Sequence, residues 1–240
     1  MNALSGVISD TLTMTLHMLM PLTSVVIVHN VMSYLLAGRV MRSTLSKGLY
    51  YALGVAFIPL HELSHALACL LFRHKITGIR LVSFDGGLGG YVNHTWNTKS
   101  LYQRFGLFFI AIAPLLTAIS MLAVGQSNEW VHLPDTKNIS ITGMYYWLAS
   151  TPLMTTLLFS SLCFYCIPSV QDFKNAFNSV LFNALVIVLL VYVLIDLKLI
   201  SHGDIENITD RLLSGSVMVI LFSLVYWIVL WITSFVMKDA

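Results

Sequence analysis

Long apolar runs separated by short polar connectors set the pattern of the chain. The runs cover residues 12–37, 49–72, 104–124, 144–167, 173–197 and 215–237. A helix rises about 1.5 Å per residue, so about 20 apolar residues cross the roughly 30 Å hydrocarbon core of a bilayer. Each run meets that length, and the pattern predicts an all-α polytopic membrane protein with about six transmembrane helices. The connectors differ in character. Residues 38–48 are basic through Arg39, Arg42 and Lys47, 125–143 are polar, and 201–214 are acidic through Asp204, Glu206 and Asp210.

The helical pattern breaks once, over 76–97. Ile79, Leu81 and Ser83 alternate there with Arg80, Val82 and Phe84, and Gly86-Gly87-Leu88-Gly89-Gly90 follows. A period of two and a glycine-rich turn predict a small β-hairpin between the second and third spans. At membrane depth such backbone survives only inside protein or beside a water-filled cavity, and an open strand edge there can bind an extended peptide. The plainer alternative is an ordinary interfacial loop.

Composition agrees with the pattern. Of 240 residues 57% are hydrophobic and 10% charged, and the mean hydropathy is +0.81, values beyond those of a soluble domain. The connectors are too short for a separate soluble domain, so residues 1–240 are read as a single membrane domain embedded in the lipid bilayer. A net charge of +2 gives no reason to expect a nucleic acid partner. Cys69, Cys163 and Cys166 all lie in apolar runs, and Cys163-x-x-Cys166 is most simply packing. Between 73 and 104 the chain carries Arg73, Lys75, Arg80, Lys99 and Arg104, which favours the cytoplasmic side for that segment. The basic loop 38–48 then falls outside, against the same rule.

Inside the second run stands His61-Glu62-Leu63-Ser64-His65, and Glu62 is the sole charge from 49 to 72. Residues i and i+4 share a helix face, so His61 and His65 can turn both imidazoles to one metal ion. Glu62 can then act as general base towards a water on that metal. A single buried histidine is more often a hydrogen-bonded core residue. Two at this spacing with a glutamate between them favour the metal, and a charge in an apolar run is itself a functional signal. Further along, Ser169 reads as an N-cap with Asp172 at N3 of the fifth span.

His61-Glu62-Leu63-Ser64-His65-Ala66 resembles the signature of the site-2 protease family of intramembrane zinc metalloproteases. Gly89-Gly90-Tyr91-Val92 resembles the Gly-Gly-Tyr-Val element of that family's re-entrant β segment. Pro168-Ser169-Val170-Gln171-Asp172 fits the position of its third zinc ligand, with Phe173 where a glycine is usual. The resemblance covers about 49–180, taken as the catalytic core. It implies Zn2+ held by His61, His65 and Asp172, Glu62 as catalytic base, and Gly89, Gly90, Tyr91 and Val92 holding the substrate. That substrate would be a membrane protein cut within or near its transmembrane segment, at the cell (inner) membrane with the active site towards the cytoplasm. The competing role for Asp172 is a simple helix cap, and Asp85 is the next carboxylate in line. Two other readings stand beside the protease. In a catalytically silent relative acting as a regulatory or binding protein, Glu62 would have no purpose. A transporter with a His/Asp cation path would be expected to show paired repeats with broken helices, and none is evident.

Overall fold

In a stretch without water, helix satisfies every backbone N–H and C=O within the segment itself, and the apolar runs fold accordingly. The computed structural model describes residues 3–132, 146–147 and 149–236. Its elements are α1 (Ala3–Val40), α2 (Thr44–Leu71), β1 (Lys75–Ser83), β2 (Gly89–Thr95), α3 (Leu101–Ser127), α4 (Leu153–Tyr165), α5 (Val170–Asp196) and α6 (His202–Thr233). Among the described residues five helical stretches are long and apolar enough to cross a membrane: Thr23–Val40, Thr44–Leu71, Leu101–Ser127, Val170–Asp196 and His202–Thr233. The protein therefore has the character of an integral membrane protein.

The expected fourth span differs. Residues 146–147 and 149–150 of it are helical, the helix breaks at Thr151 and Pro152, and α4 after the break has 13 residues, about 20 Å of rise, short of a full crossing. It is an interior element, with Thr156, Ser160, Ser161, Cys163 and Phe164 buried. Residues 144–145 and 148 of that expected span, and most of the polar loop 125–143, lie outside the described residues. The acidic connector 201–214 is also not a loop. Ser201 caps α6 and Asp204 completes a capping box, so the acidic stretch forms the helix's first turns. Carboxylates at a helix N-terminus are favoured by its dipole.

α1 packs on α5 and α6, α3 on α2, α5 and α6, and α4 on α2 and α6. Phe108, Ile112, Leu115 and Leu122 of α3 meet Cys163, Ala176, Met218 and Phe222 in the main core. A second, aromatic core joins Phe164, Tyr165, Tyr226 and Trp227. The free thiols of Cys163 and Cys166 are buried in the main core, as packing requires. On the outer face of α5, Leu181, Leu185 and Leu189 are exposed at four-residue spacing, an apolar stripe that suits lipid.

The hairpin pairs β1 with β2 antiparallel, Ile79 opposite Val92 and Arg80 opposite Tyr91. Gly86 (φ 77°) and Gly87 (φ 131°) make its turn in a conformation that side-chain-bearing residues avoid. The sheet folds back along α2. A Cβ on Gly54 would run into the side chain of Leu88 at the turn, and Gly54 lies about 26 Å of helix before Leu71.

Candidate metal centre

α2 brings His61 and His65 to one face, and two neighbouring helices fix their rings. The Nδ1–H of His61 donates to the carbonyl of Tyr165 at 2.8 Å. That carbonyl ends α4, where the last turn has no helical partners for its oxygens. The Nδ1–H of His65 donates to the carbonyl of Ile110 at 2.7 Å, in the middle of α3. A mid-helix carbonyl is normally taken by the N–H four residues on. Here that residue is Pro114, which has none, so the oxygen is free to accept. Carbonyls only accept, so both histidines carry their hydrogen on Nδ1 and present a bare Nε2.

The two Nε2 atoms face each other at 3.1 Å. The Asp172 Oδ2 lies 3.9 Å from His61 Nε2 and 3.5 Å from His65 Nε2. Tetrahedral ligands at about 2.0–2.1 Å from a metal stand about 3.3 Å apart, so the three separations bracket what one ion requires. Two lone pairs at the observed approach repel, and a cation beside a carboxylate relieves that repulsion. His61, His65 and Asp172 could thus hold a metal ion.

Asp172 reaches this point because α5 begins at the depth of the site. Ser169 caps α5, and its backbone N–H and hydroxyl both donate to Asp172 Oδ2, at 2.8 and 2.6 Å. In return the Asp172 N–H donates to Ser169 Oγ at 3.1 Å. The cap and the candidate ligand are one carboxylate. Asp85, by contrast, is an exposed partner of Arg80 near the hairpin turn, and Asp196 ends α5 far from the histidines.

Glu62 is 6% exposed and lies against β2. A Cβ on Gly90 would stand 2.6 Å from Glu62 Cγ and 2.9 Å from both Glu62 Oε1 and the Arg80 carbonyl. Only glycine leaves room for the glutamate there. Gly90, Tyr91 and Val92 border a cavity of about 510 Å³ together with His61, Glu62, His65 and Asp172. Gly89, also expected at the substrate site, starts β2 but is not among the residues that border the cavity.

Other contributors were not foreseen. The Tyr165 and Ile110 carbonyls leave no mark in a side-chain sequence, although Pro114 does flag a freed oxygen four residues before it. His94 also borders the cavity, and it bonds His74, Nδ1 to Nδ1, at 3.0 Å. Burial holds His74 below the usual imidazole range, partly offset by its bond to the Gln103 carbonyl. Burial, then the positive fields of His74 and His65, hold His94 below it too. Strand alternation could have flagged His94, since it shares a face with Gly90.

Set against known proteins, the chain matches no family model, no curated protein and no solved structure, so its site is read from its own geometry.

Proposed function

We propose that the protein is an intramembrane zinc endopeptidase of the site-2 protease kind, cutting membrane-protein substrates within or near their transmembrane segments. The observation that carries this reading is two Nε2 atoms and one carboxylate at metal-ligand separation, with a buried glutamate beside them on a cavity wall. Zinc suits a two-histidine, one-carboxylate set, which leaves one position open. When bound, it supplies Lewis acidity towards water and the scissile carbonyl.

The chain's own residues perform the remaining tasks. Glu62 accepts the proton of the attacking water and returns it to the leaving amine as the peptide bond breaks. The Tyr165 and Ile110 carbonyls keep both imidazoles in the tautomer whose Nε2 is bare. Asp172 offsets the charge of a dication in a low-dielectric setting. A transmembrane helix hides its carbonyls, so the substrate must unwind to be cut. In the two-stranded sheet β2 keeps an edge not paired with β1, and Gly89 to Val92 offer backbone partners to an extended chain. A 73–104 segment and a site that face the cytoplasm of a cell membrane belong to the same reading.

The test is metal content and cleavage in purified protein, wild type against Glu62→Gln. The probe is a quenched-fluorescence single-span peptide whose leucine helix is interrupted by Gly-Pro. Both proteins are expected to hold one zinc per chain, and the variant to lose about 100-fold or more in turnover. Wild-type protein without zinc, or a variant with near-normal turnover, overturns the proposal.

A further inference from the structure

His94 has no part in the metal set, yet the structure builds a chain of hydrogen bonds behind it. His74 is 4% exposed, and its Nε2 lies 2.9 Å from the carbonyl of Gln103. The carbonyl can only accept, so His74 Nε2 carries the hydrogen, and the neutral ring keeps a bare Nδ1. That Nδ1 faces His94 Nδ1 at 3.0 Å, so His94 donates. Trp96 stacks on His74 at 14° between ring planes and holds it in place. In the neutral His94 ring the hydrogen is therefore on Nδ1, and Nε2 is a bare acceptor. The Nδ1 side is taken by His74 while the ring borders the cavity, which leaves Nε2 as the atom it offers there.

Position along β2 says what Nε2 meets. Gly90, Val92 and His94 are the more covered positions, between exposed Tyr91, Asn93 and Thr95. Gly90 lies under Glu62. His94 follows on the same face about 13 Å further on, at about 3.3 Å per residue. The cavity runs on past His94 to Trp96, and a second cavity of about 490 Å³ adjoins it at Trp96, Leu107 and Asn175. A trench thus leads from the metal set along β2 towards the end of α2.

We propose that His94 is a substrate-binding residue, its Nε2 accepting a hydrogen bond from an N–H or polar side chain of an extended polypeptide, about four residues from the bond beside Glu62. His74 is the positioning residue that fixes the His94 tautomer. The class of ligand rests on the endopeptidase reading above. The segment bound here is the polar flank that leaves the bilayer on the side where α2 ends.

Two amides separate this role from a structural one. Asparagine places its amide near the Nδ1 position of histidine and keeps the bond to His74. Glutamine reaches the Nε2 position and offers an oxygen to the cavity. The experiment uses full-length protein in nanodiscs, carrying Glu62→Gln so that the probe is held and not cut. The probe is a fluorescein-labelled single-span peptide with a serine- and asparagine-rich flank, and its affinity is read by anisotropy. His94→Ala and His94→Asn are expected to weaken binding about tenfold, and His94→Gln about twofold or less, as the loss of one hydrogen bond predicts. Zinc content stays at the level of the His94 parent in all three. The reverse order, with asparagine like the parent and glutamine like alanine, assigns His94 to structure alone and overturns the proposal. Equal affinities, or no binding by the parent, overturn it too. A parallel cleavage assay with Glu62 intact keeps the two readings apart. An uncut peptide with the expected order removes the endopeptidase reading and leaves the binding site standing, whereas a cut peptide without that order removes the binding site alone.

Discussion

Asp172 serves two neighbours with one oxygen. Its Oδ2 accepts from the Ser169 backbone and hydroxyl and also stands nearest the two histidine nitrogens. Read from sequence, helix cap and metal ligand look like alternatives, because each explains an aspartate at that position. In space the cap is what aims the ligand, as hydrogen bonds around a ligating carboxylate commonly do. The two roles can still be separated by substitution. Asp172→Asn removes the charge, and retained zinc is expected to fall to near zero by mass spectrometry. Ser169→Ala removes the hydroxyl but keeps the carboxylate and its backbone donor. It is expected to cost about 1 kcal/mol of helix stability and about tenfold in zinc affinity, measured by competition with a fluorescent chelator. Equal losses in the two variants would make Asp172 a cap only. At this scale His61, Glu62, His65 and Asp172 could be named from the sequence. Of the carbonyls that orient the histidines, Pro114 marks the Ile110 one as free, but no side chain marks that of Tyr165.

At the scale of elements, a proline in α3 makes a metal-centre partner available. Pro114 leaves the Ile110 oxygen without its helical donor, and His65 uses it. Pro114→Ala restores an N–H that competes for this oxygen. Removing an interior proline is expected to favour the helix by up to about 3 kcal/mol, less any cost of the vacated ring volume. Zinc affinity is nevertheless expected to fall about tenfold. Thermal unfolding and chelator competition on one preparation check both signs, and unchanged zinc affinity would show that His65 does not depend on the freed oxygen. The elements themselves were unequally legible. Apolar run length located the long helices, and glycine chemistry with a period of two located the hairpin. α4 was misjudged, because an apolar stretch reads alike whether it faces lipid or is packed among other helices. The start of α6 was missed because the acidic stretch 201–214 marks a connector by hydropathy, whereas Ser201 and Asp204 form the helix's capping box.

Across the whole molecule, the candidate ligands join parts that otherwise barely meet. α5 packs on α1 and α3 and shares few neighbours with α2. The His61–His65–Asp172 group is one link between α2 and α5 among the described residues. A ligand bound to the folded state alone at 100 times its dissociation constant adds about 2.7 kcal/mol, or about 5–10 °C for a chain of this size. Removing metal with a chelator is expected to lower the unfolding midpoint by that amount, followed by intrinsic tryptophan fluorescence, with readdition of zinc restoring it. No shift would show that the group holds no ion in the purified protein. The meeting of α2 with the start of α5 was the least legible feature, since hydropathy marks the apolar runs and not which of them touch.

The distance along the chain between the histidines and Asp172 has a consequence during biosynthesis. More than a hundred residues separate His65 from Asp172. At about 5–20 residues per second, a ribosome makes α2 roughly 5–20 s before it makes the start of α5. Throughout that interval the nascent chain holds the histidine pair and Glu62 in the membrane without the carboxylate that completes the set. On the endopeptidase proposed above, a half-made copy is inert towards its neighbours in the bilayer, and competence arrives only when α5 docks.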